Sequence, residues 1–132
     1  MSHYSRLYMV VIDVPEAEHD QELAFWQAAT GKAATGKELS RSARQPEYHG
    51  AMLVDEAIGI LVQRLGEGPS RIHLDIHTDD LEAEVARLKG LGAEEVQRIN
   101  RWCVMRDPAG MVFCVVPDPP GRLNDANAQR WD

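Results

Sequence analysis

The sequence predicts an α+β fold in which a βαβββ module occurs twice. In each half, a β-branched, aliphatic run is followed by a helical pattern and then by further short apolar runs. Aligning Arg6 with Arg71 places "RLYMVVIDVPE" over "RIHLDIHTDDL", so the two halves begin alike. The turn-rich "GEGPS" between them indicates a linker. We therefore expect one domain over residues 1–132, with modules at about 6–65 and 71–117, a linker at 66–70 and a polar tail at 118–132.

Length and charge exclude some classes of function. A chain of 132 residues is long enough for one domain with a substantial core. It carries 14 Lys and Arg against 21 Asp and Glu, a net charge of −7, which disfavours nucleic acid and anionic membranes as partners. No apolar run reaches the length of a signal-peptide core or of a membrane span of about 20 residues. We expect a cytoplasmic protein that binds neither.

The first module begins with the strand "RLYMVVIDV" (6–14), and Pro15 suits the first turn of a following helix. That helix is predicted over 16–31, "EAEHDQELAFWQAATG". Residues 32–50 give a poor signal, from which we expect one weak strand and a loop. Two short strands, at 51–55 and 57–65, complete the module.

In the second module, Asp79 follows the strand "RIHLDIHT", and Glu82 stands three residues further on, which predicts a capping box. The helix it begins has an apolar stripe of four residues: Leu81, Val85, Leu88 and Leu91. Gly92 ends it. Three strands are expected in 94–100, 101–106 and 111–117. We expect the tail either to pack through Trp131 or to stay mobile.

Side chains alternate along "RIHLDIHT" (71–78). One parity holds the aliphatic residues Ile72, Leu74 and Ile76, which we expect to face the helices. The other parity holds His73, Asp75 and His77. If this face of the sheet is exposed to solvent, the polar residues indicate only a solvated face, here called a wet face. If the face is enclosed, the same residues line a binding site. The sequence leaves both interpretations open.

The stretch "RDPAGM" predicts the register of the last hairpin. Residues 107–110 have the preferences of a type I turn, and Gly110 suits the left-handed position that completes a three-residue loop with a bulge. In that register Val104 lies opposite Cys114, so Cys103 points to the other side and no disulfide is expected. A two-residue loop would instead set the two cysteines opposite each other.

Three stretches carry a resemblance to a known family: "VVIDVPEAEHDQELAFWQAATG", "RIHLDIHTDDLEAEVARLKGLGA" and "MRDPAGMVFCVVP". They resemble the glyoxalase-like branch of the vicinal oxygen chelate superfamily, which includes glyoxalase I, extradiol dioxygenases and bleomycin resistance proteins. The "HLD" strand, the "LxxLGA" helix end and the "DPxGxxF" hairpin are its most specific elements. The resemblance covers about 6–117 and implies a mixed sheet, helices outside, whose two modules curl around one cavity.

The resemblance also implies positions for metal ligands. Metal-dependent members place one ligand on the first and last strand of each module. The matching positions here are Tyr8 (Met9 if the register slips by one), Gln63, His73 and Cys114, of which only His73 is a usual ligand in its usual place. A phenol, an amide, an imidazole and a thiol are a poor set for Mg, Mn, Ni or Fe(II), so we expect no metal cofactor. A zinc site through Cys114 and His73 is the alternative.

The resemblance leaves several functions open. We favour a protein that binds a small, partly aromatic organic molecule without a metal, in a cavity lined by Tyr8, Gln63, His73, Trp102 and Cys114. The alternative is a lyase or isomerase of glyoxalase or dioxygenase type that acts on a small carbonyl or oxygenated aromatic compound. His73 would then be the acid or base, oriented by Asp75 or Tyr8.

A third alternative is a partner-binding module whose cavity is filled by its own side chains. Members of the family often pair, and the sequence leaves open whether the cavity forms within one chain or across a homodimer.

Overall fold

A computed structural model gives the structure of the chain and describes residues 2–30, 38–40, 49–54, 59–66 and 68–132. The predicted α+β class with a mixed sheet is confirmed, because these ranges hold two helices and nine strands that pair both ways. The elements are β1 (His3–Pro15), a 3-10 turn (Glu16–Glu18), α1 (His19–Thr30), β2 (Glu38–Ser40), β3 (His49–Val54), β4 (Gly59–Leu65), β5 (Arg71–Thr78), α2 (Leu81–Gly90), β6 (Glu94–Ile99), β7 (Trp102–Arg106), β8 (Val112–Pro117) and β9 (Gln129–Trp131).

The chain divides into two compact units. The first unit is Met9–His73, and the second unit combines Met1–Tyr8 with Leu74–Asp132. The strands β1 and β5 each contribute residues to both units. The predicted module limits and the cavity between the modules stay predictions. Neither helix of the described ranges is long and apolar enough to cross a membrane.

In the first unit the strand order is β2-β3-β4-β1. The β1 and β4 strands run parallel, and their register sets Asp13 beside Gln63. Ile12 and Val14, on either side of Asp13, pack with Val62 against α1. Because side chains alternate along a strand, Asp13 lies on the face away from the helix. Of the weak region 32–50, only β2 and the first residues of β3 are described.

The first helix begins later than predicted. Pro15 precedes a 3-10 turn, and α1 starts only at His19. His19 is buried and donates from Nε2 to the carbonyl oxygen of Val62, 3.2 Å away. This bond ties the start of the helix to β4. Gly31, the predicted helix end, lies outside the described residues.

In the second unit β5, β8, β7 and β6 lie in that order, with β5 and β8 parallel. Its core comprises Val85 and Leu88 of α2 and four residues of the hairpin: Cys103, Met105, Phe113 and Val115. Leu74 and Ile76 pack on this core, as predicted. Ile72 and Leu91 were wrongly expected to be covered, since they are 63% and 66% exposed. Leu91 lies just past the last helical residue, where the chain turns away.

The predicted capping box of α2 is wrong by one residue. Asp80 is the N-cap, and its carboxylate accepts from the backbone N–H of Ala83 at 3.1 Å. Asp79 instead accepts from the backbone N–H of Tyr4 at 2.8 Å, and Glu82 pairs with Arg98. Both residues of the predicted box therefore have tertiary partners that local spacing does not reveal.

The register of the last hairpin is as predicted. Val104 lies opposite Cys114 and Cys103 opposite Val115, and both cysteines are free. The carboxylate of Asp107 accepts from two backbone N–H groups across the turn, and Gly110 has φ of +93°. That left-handed conformation is strained for any residue with a Cβ, which explains the glycine.

The tail packs through Trp131, one of the two predicted outcomes. β9 pairs antiparallel with the start of β1, and the Trp131 indole donates to the Ser5 hydroxyl at 2.9 Å. The Arg87 guanidinium lies 3.8 Å from the centre of the indole ring. Arg87 also binds the buried Glu84, which His3 contacts as well. Both ends of the chain are thus attached to α2.

Candidate functional site

A buried carboxylate is the centre of the candidate site in the first unit. Asp13 is 2% exposed. Gln63 Nε2 donates to its Oδ1 at 2.8 Å, and His73 Nδ1 lies 2.5 Å from its Oδ2. A buried charge is tolerated only when it is paired and hydrogen-bonded, and here both carboxylate oxygens have partners. The structure therefore brings together Gln63 and His73, two predicted site residues, through a third residue that was not predicted.

Asp13 was missed although the sequence carried a signal for it. It is the only charged residue in the strand "VVIDV", whose other members are β-branched and aliphatic. Removing a carboxylate from water without a partner is too costly for such a position, so a partner was to be expected. Asp75 or Tyr8 was expected to orient His73, whereas the carboxylate at His73 Nδ1 is Asp13.

The Asp13 contact determines which nitrogen of the neutral His73 ring carries the proton. When Nδ1–H donates to a carboxylate, the neutral ring has its lone pair on Nε2, and the carboxylate stabilises the imidazolium that forms on protonation. Gln63 holds the other carboxylate oxygen and so limits rotation of Asp13. The Gln63 Oε1 atom is buried and accepts no hydrogen bond from the described residues. The arrangement can move a proton and can accept an N–H or O–H from a ligand.

The polar parity of β5 is buried, so the wet-face interpretation is wrong. The side chains of His73, Asp75 and His77 are all buried. In the second unit Asp75 lies beside Cys114 of β8, which is buried too. His77 Nδ1 contacts Oδ1 of Asp118 at 2.8 Å. This unit therefore also encloses polar groups rather than exposing them.

Asp118 is ionised more readily than an ordinary aspartate. Burial by itself raises the pKa of its carboxyl. The hydrogen bond from His77 and the positive charges of His77, Arg122 and Arg6 outweigh burial and hold the pKa below its usual range. The carboxylate of Asp118 thus accepts the His77 Nδ1–H as a charged acceptor.

The remaining predicted residues lie in the second unit. The Tyr8 ring contacts His77 with 4.6 Å between ring centres, and the Arg6 guanidinium lies 4.1 Å from the centre of the Tyr8 ring. Trp102 is buried at the start of β7. The assembly of Tyr8, Trp102 and Cys114 with Gln63 and His73 into one binding site stays a prediction.

The donor atoms fit one class of metal better than another. Asp75 of β5 lies beside Cys114 of β8, so a carboxylate and a thiol occupy neighbouring strand positions in the second unit, and His73 precedes Asp75 by two residues in the sequence. Zinc accepts this mixture of nitrogen, oxygen and sulfur, whereas Mg and Mn prefer oxygen. A carboxylate on the second ring nitrogen, here Asp13, is also the usual partner of a metal-bound histidine. The residues therefore fit zinc.

A family model described as the glyoxalase-like domain matches residues 9–116. The chain belongs to the glyoxalase-like domain family. The predicted membership of the vicinal oxygen chelate superfamily is thereby confirmed, and the match covers both halves of the chain. A search of curated proteins gives no significant match.

Solved structures share the fold of this glyoxalase-like domain. A hypothetical protein from Bacillus halodurans C-125 has a TM-score of 0.66 at 15% identity, over 91% of this chain and 99% of that chain. Methylmalonyl-CoA epimerase from Mycobacterium tuberculosis has a TM-score of 0.61 at 18% identity, over 86% and 88%. The Mn(II)-bound glyoxalase from Novosphingobium aromaticivorans has a TM-score of 0.55 at 16% identity, over 95% of this chain but 44% of that chain. At these identities the likeness concerns the fold.

Proposed function

We propose that this glyoxalase-like domain binds a small carbonyl or oxygenated aromatic compound and acts on it as a lyase or isomerase, with His73 as the acid and base. The observation that carries the proposal is the buried Asp13–His73 pair. An imidazole exchanges protons near neutral pH, and a fixed carboxylate sets its tautomer and stabilises its charged form.

The proposed step is the transfer of a proton from carbon. His73 Nε2 takes a proton from the carbon beside the substrate carbonyl. The electron pair of that C–H bond forms a carbon–carbon double bond, and the π pair of the carbonyl moves to its oxygen to give an enolate. The imidazolium stays paired with Asp13. It then returns the proton to the same carbon, which exchanges or inverts that centre, or to a neighbouring atom, which completes an isomerisation. Gln63 Oε1 would accept a substrate N–H or O–H and so orient the substrate.

The chemistry of some structural neighbours is consistent with this proposal. One is an epimerase, and inversion of a centre beside a carbonyl is a proton transfer of this kind. Others are a glyoxalase and a 4-hydroxymandelate synthase variant. They support a class of substrate, small oxygenated molecules, and leave its identity open.

The test is exchange of substrate hydrogen for deuterium. The full chain is incubated in D2O with a panel of 2-oxo acids, 3-oxo acids and aryl ketones, and loss of the α-proton signal is followed by NMR. We expect exchange above the buffer rate for at least one compound. His73→Gln should abolish it, and Asp13→Asn should slow it by about 10²–10⁴-fold, because the orienting carboxylate is lost.

Asp20→Asn is the matched control, because Asp20 also lies beside a histidine, His19, but its side chain is 98% exposed. It should leave the rate unchanged. Undiminished exchange in His73→Gln would remove the proposed role of His73. No exchange with any compound of the panel, together with saturable binding of one of them, would favour a binding protein without catalysis.

A second candidate function is metal-assisted chemistry, favoured by the neighbouring donors Asp75 and Cys114 of the second unit, with His73 two residues before Asp75 in the sequence. Bound zinc would polarise a substrate carbonyl or hydroxyl. Elemental analysis of protein purified without chelator distinguishes the candidates. One equivalent of zinc in the native chain, absent from Cys114→Ala, would support the metal, whereas a metal-free protein that still exchanges substrate protons would support His73 alone.

A further inference from the structure

Two side chains of the second unit, Arg6 and His77, contact one aromatic ring, that of Tyr8. The Arg6 guanidinium carbon lies 4.1 Å from the centre of the Tyr8 ring. The His77 ring meets the same Tyr8 ring edge-on, with centres 4.6 Å apart and planes inclined at 62°. On its other side His77 binds Asp118 through Nδ1. Tyr8 therefore supports both a guanidinium and an imidazole.

Two nitrogen atoms of this cluster are buried without a hydrogen-bond partner among the described residues. They are Arg6 Nε and His77 Nε2. His77 is only 9% exposed, so water does not solvate its ring freely. A buried polar atom that lacks a partner destabilises the fold, and a bound ion or ligand is one explanation for its retention. Both side chains contact the Tyr8 ring, so a single group bound beside that ring is a candidate partner for both atoms.

The charge around the cluster favours an anionic group. Asp118 is the acid that His77 contacts, and the positive charges of Arg122 and Arg6 also act on it. The guanidinium groups of Arg6 and Arg122 therefore lie close enough to act on the Asp118 carboxylate, in a chain whose net charge is −7. Guanidinium groups attract anions, and the negative net charge of the chain disfavours a polyanion.

We propose that Arg6, Tyr8 and His77 form a binding site for the carboxyl or phosphate group of a small organic acid. One oxygen accepts from Arg6 Nε–H, which always donates. A second oxygen of the same group shares a hydrogen bond with His77 Nε2, whichever of the two holds the proton. Asp118 orients His77, and the Tyr8 ring supports the guanidinium of Arg6. This site does not depend on the proposed role of His73.

The experiment uses the 15N-labelled full chain and records long-range 1H–15N spectra of the histidine rings. Benzoate and inorganic phosphate are the two probes, titrated separately at constant ionic strength against sodium chloride. The His77 signals are identified by their loss in His77→Gln. We expect saturable shifts of the His77 nitrogens with at least one probe, and the probe that saturates at lower concentration identifies the anionic group.

Variants of Arg6 test the donor. Arg6→Gln should weaken binding at least tenfold, and Arg6→Lys, which keeps the charge but lacks the Nε–H beside Tyr8, should also weaken it. Arg101→Gln is the matched control, since Arg101 is exposed and the change in net charge is the same. It should leave affinity unchanged.

Absence of shifts at His77 with both probes would overturn the proposal. Equal shifts with sodium chloride, or equal weakening by Arg101→Gln, would do so too, since either result means a general salt effect. If Arg6→Gln fails to fold, Arg6→Lys decides alone, and full affinity in that variant would exclude the Arg6 Nε donor.

Discussion

The two units of this glyoxalase-like domain each hold a histidine whose Nδ1 contacts a carboxylate, but the surroundings of the two pairs differ. In the first unit Asp13 lies within a strand and shares its second oxygen with an uncharged amide, Gln63. In the second unit Asp118 follows β8, and its side chain is 8% exposed. The positive charges of Arg6 and Arg122 act on its carboxylate. The same pair of residue types is thus suited to proton transfer in one setting and to anchoring an anion in the other.

The largest expected effect concerns the stability of the first pair. Asp13→Ala removes a buried charge and leaves the Gln63 amide and the His73 ring without their shared partner. We expect the free energy of unfolding to fall by about 3–5 kcal/mol, as for other broken buried pairs. Urea denaturation measures the change. Asp20→Ala, the exposed counterpart beside His19, should change it by less than about 0.5 kcal/mol. Similar values for both variants would remove the distinction between buried and exposed pairs.

The second pair, His77 and Asp118, should contribute less to the free energy of unfolding than the first. Asp118→Ala loses one charge-assisted hydrogen bond and also relieves burial of a carboxylate, so we expect a decrease of about 1.5–3 kcal/mol. The same denaturation experiment compares it with Asp13→Ala. A larger loss for Asp118→Ala than for Asp13→Ala would reverse the ranking of the two pairs.

Acid should affect the second unit through Glu84 as well as Asp118. For Glu84, burial raises the pKa, but hydrogen bonds from Arg87, Ser5 and His3 outweigh burial and lower it. A carboxyl whose folded pKa is lowered stabilises the protein above its unfolded pKa, near 4, and loses that contribution as pH falls through the folded pKa.

We therefore expect the free energy of unfolding to fall below about pH 4. Glu84→Gln should flatten this decrease and lower stability at pH 7. Denaturation curves between pH 3 and pH 7 provide the measurement. An unchanged pH profile in Glu84→Gln would contradict the assignment.

The smallest expected effect compares the starts of the two helices. α2 has a side-chain cap at Asp80, whereas the 3-10 turn in front of α1 follows Pro15 and has none. Asp80→Ala should cost about 1 kcal/mol, and Asp80→Ser should restore most of it because serine also caps. Thermal unfolding followed by circular dichroism detects the difference. Native stability in Asp80→Ala would mean that the cap contributes nothing.

Much of the fold could be predicted because it rests on local patterns. The alternation of "RIHLDIHT" identified β5 as a strand and predicted that Leu74 and Ile76 pack on the same side as α2. The "RDPAGM" turn fixed the hairpin register, since Gly110 adopts a conformation that few other residues tolerate. The errors at Asp79 and Glu82 have one cause. Each residue has a partner distant in sequence, Tyr4 and Arg98, and that contact outweighs the local preference.

The candidate site was predictable only in part. His73 and Gln63 were selected through a family resemblance, and Asp13 was passed over although it is the residue that joins them. Its neighbours in sequence, Ile12 and Val14, belong to the core against α1. Its charge marked Asp13 as unusual in that strand, but only the alternation of faces separates it from the core residues, and only the fold supplies its partners.

The sequence by itself determined the α+β class, the doubled βαβββ plan, the hairpin register and the histidine of β5, because these depend on the period of the side chains and on turn chemistry. Tertiary structure alone decided that Asp13 is the partner of His73 and Gln63, that Asp118 is the partner of His77, and that Trp131 attaches the tail to Ser5. Hydrogen bonds between strands depend on which distant residues the sheet brings into register, and local periodicity carries no information about that distance.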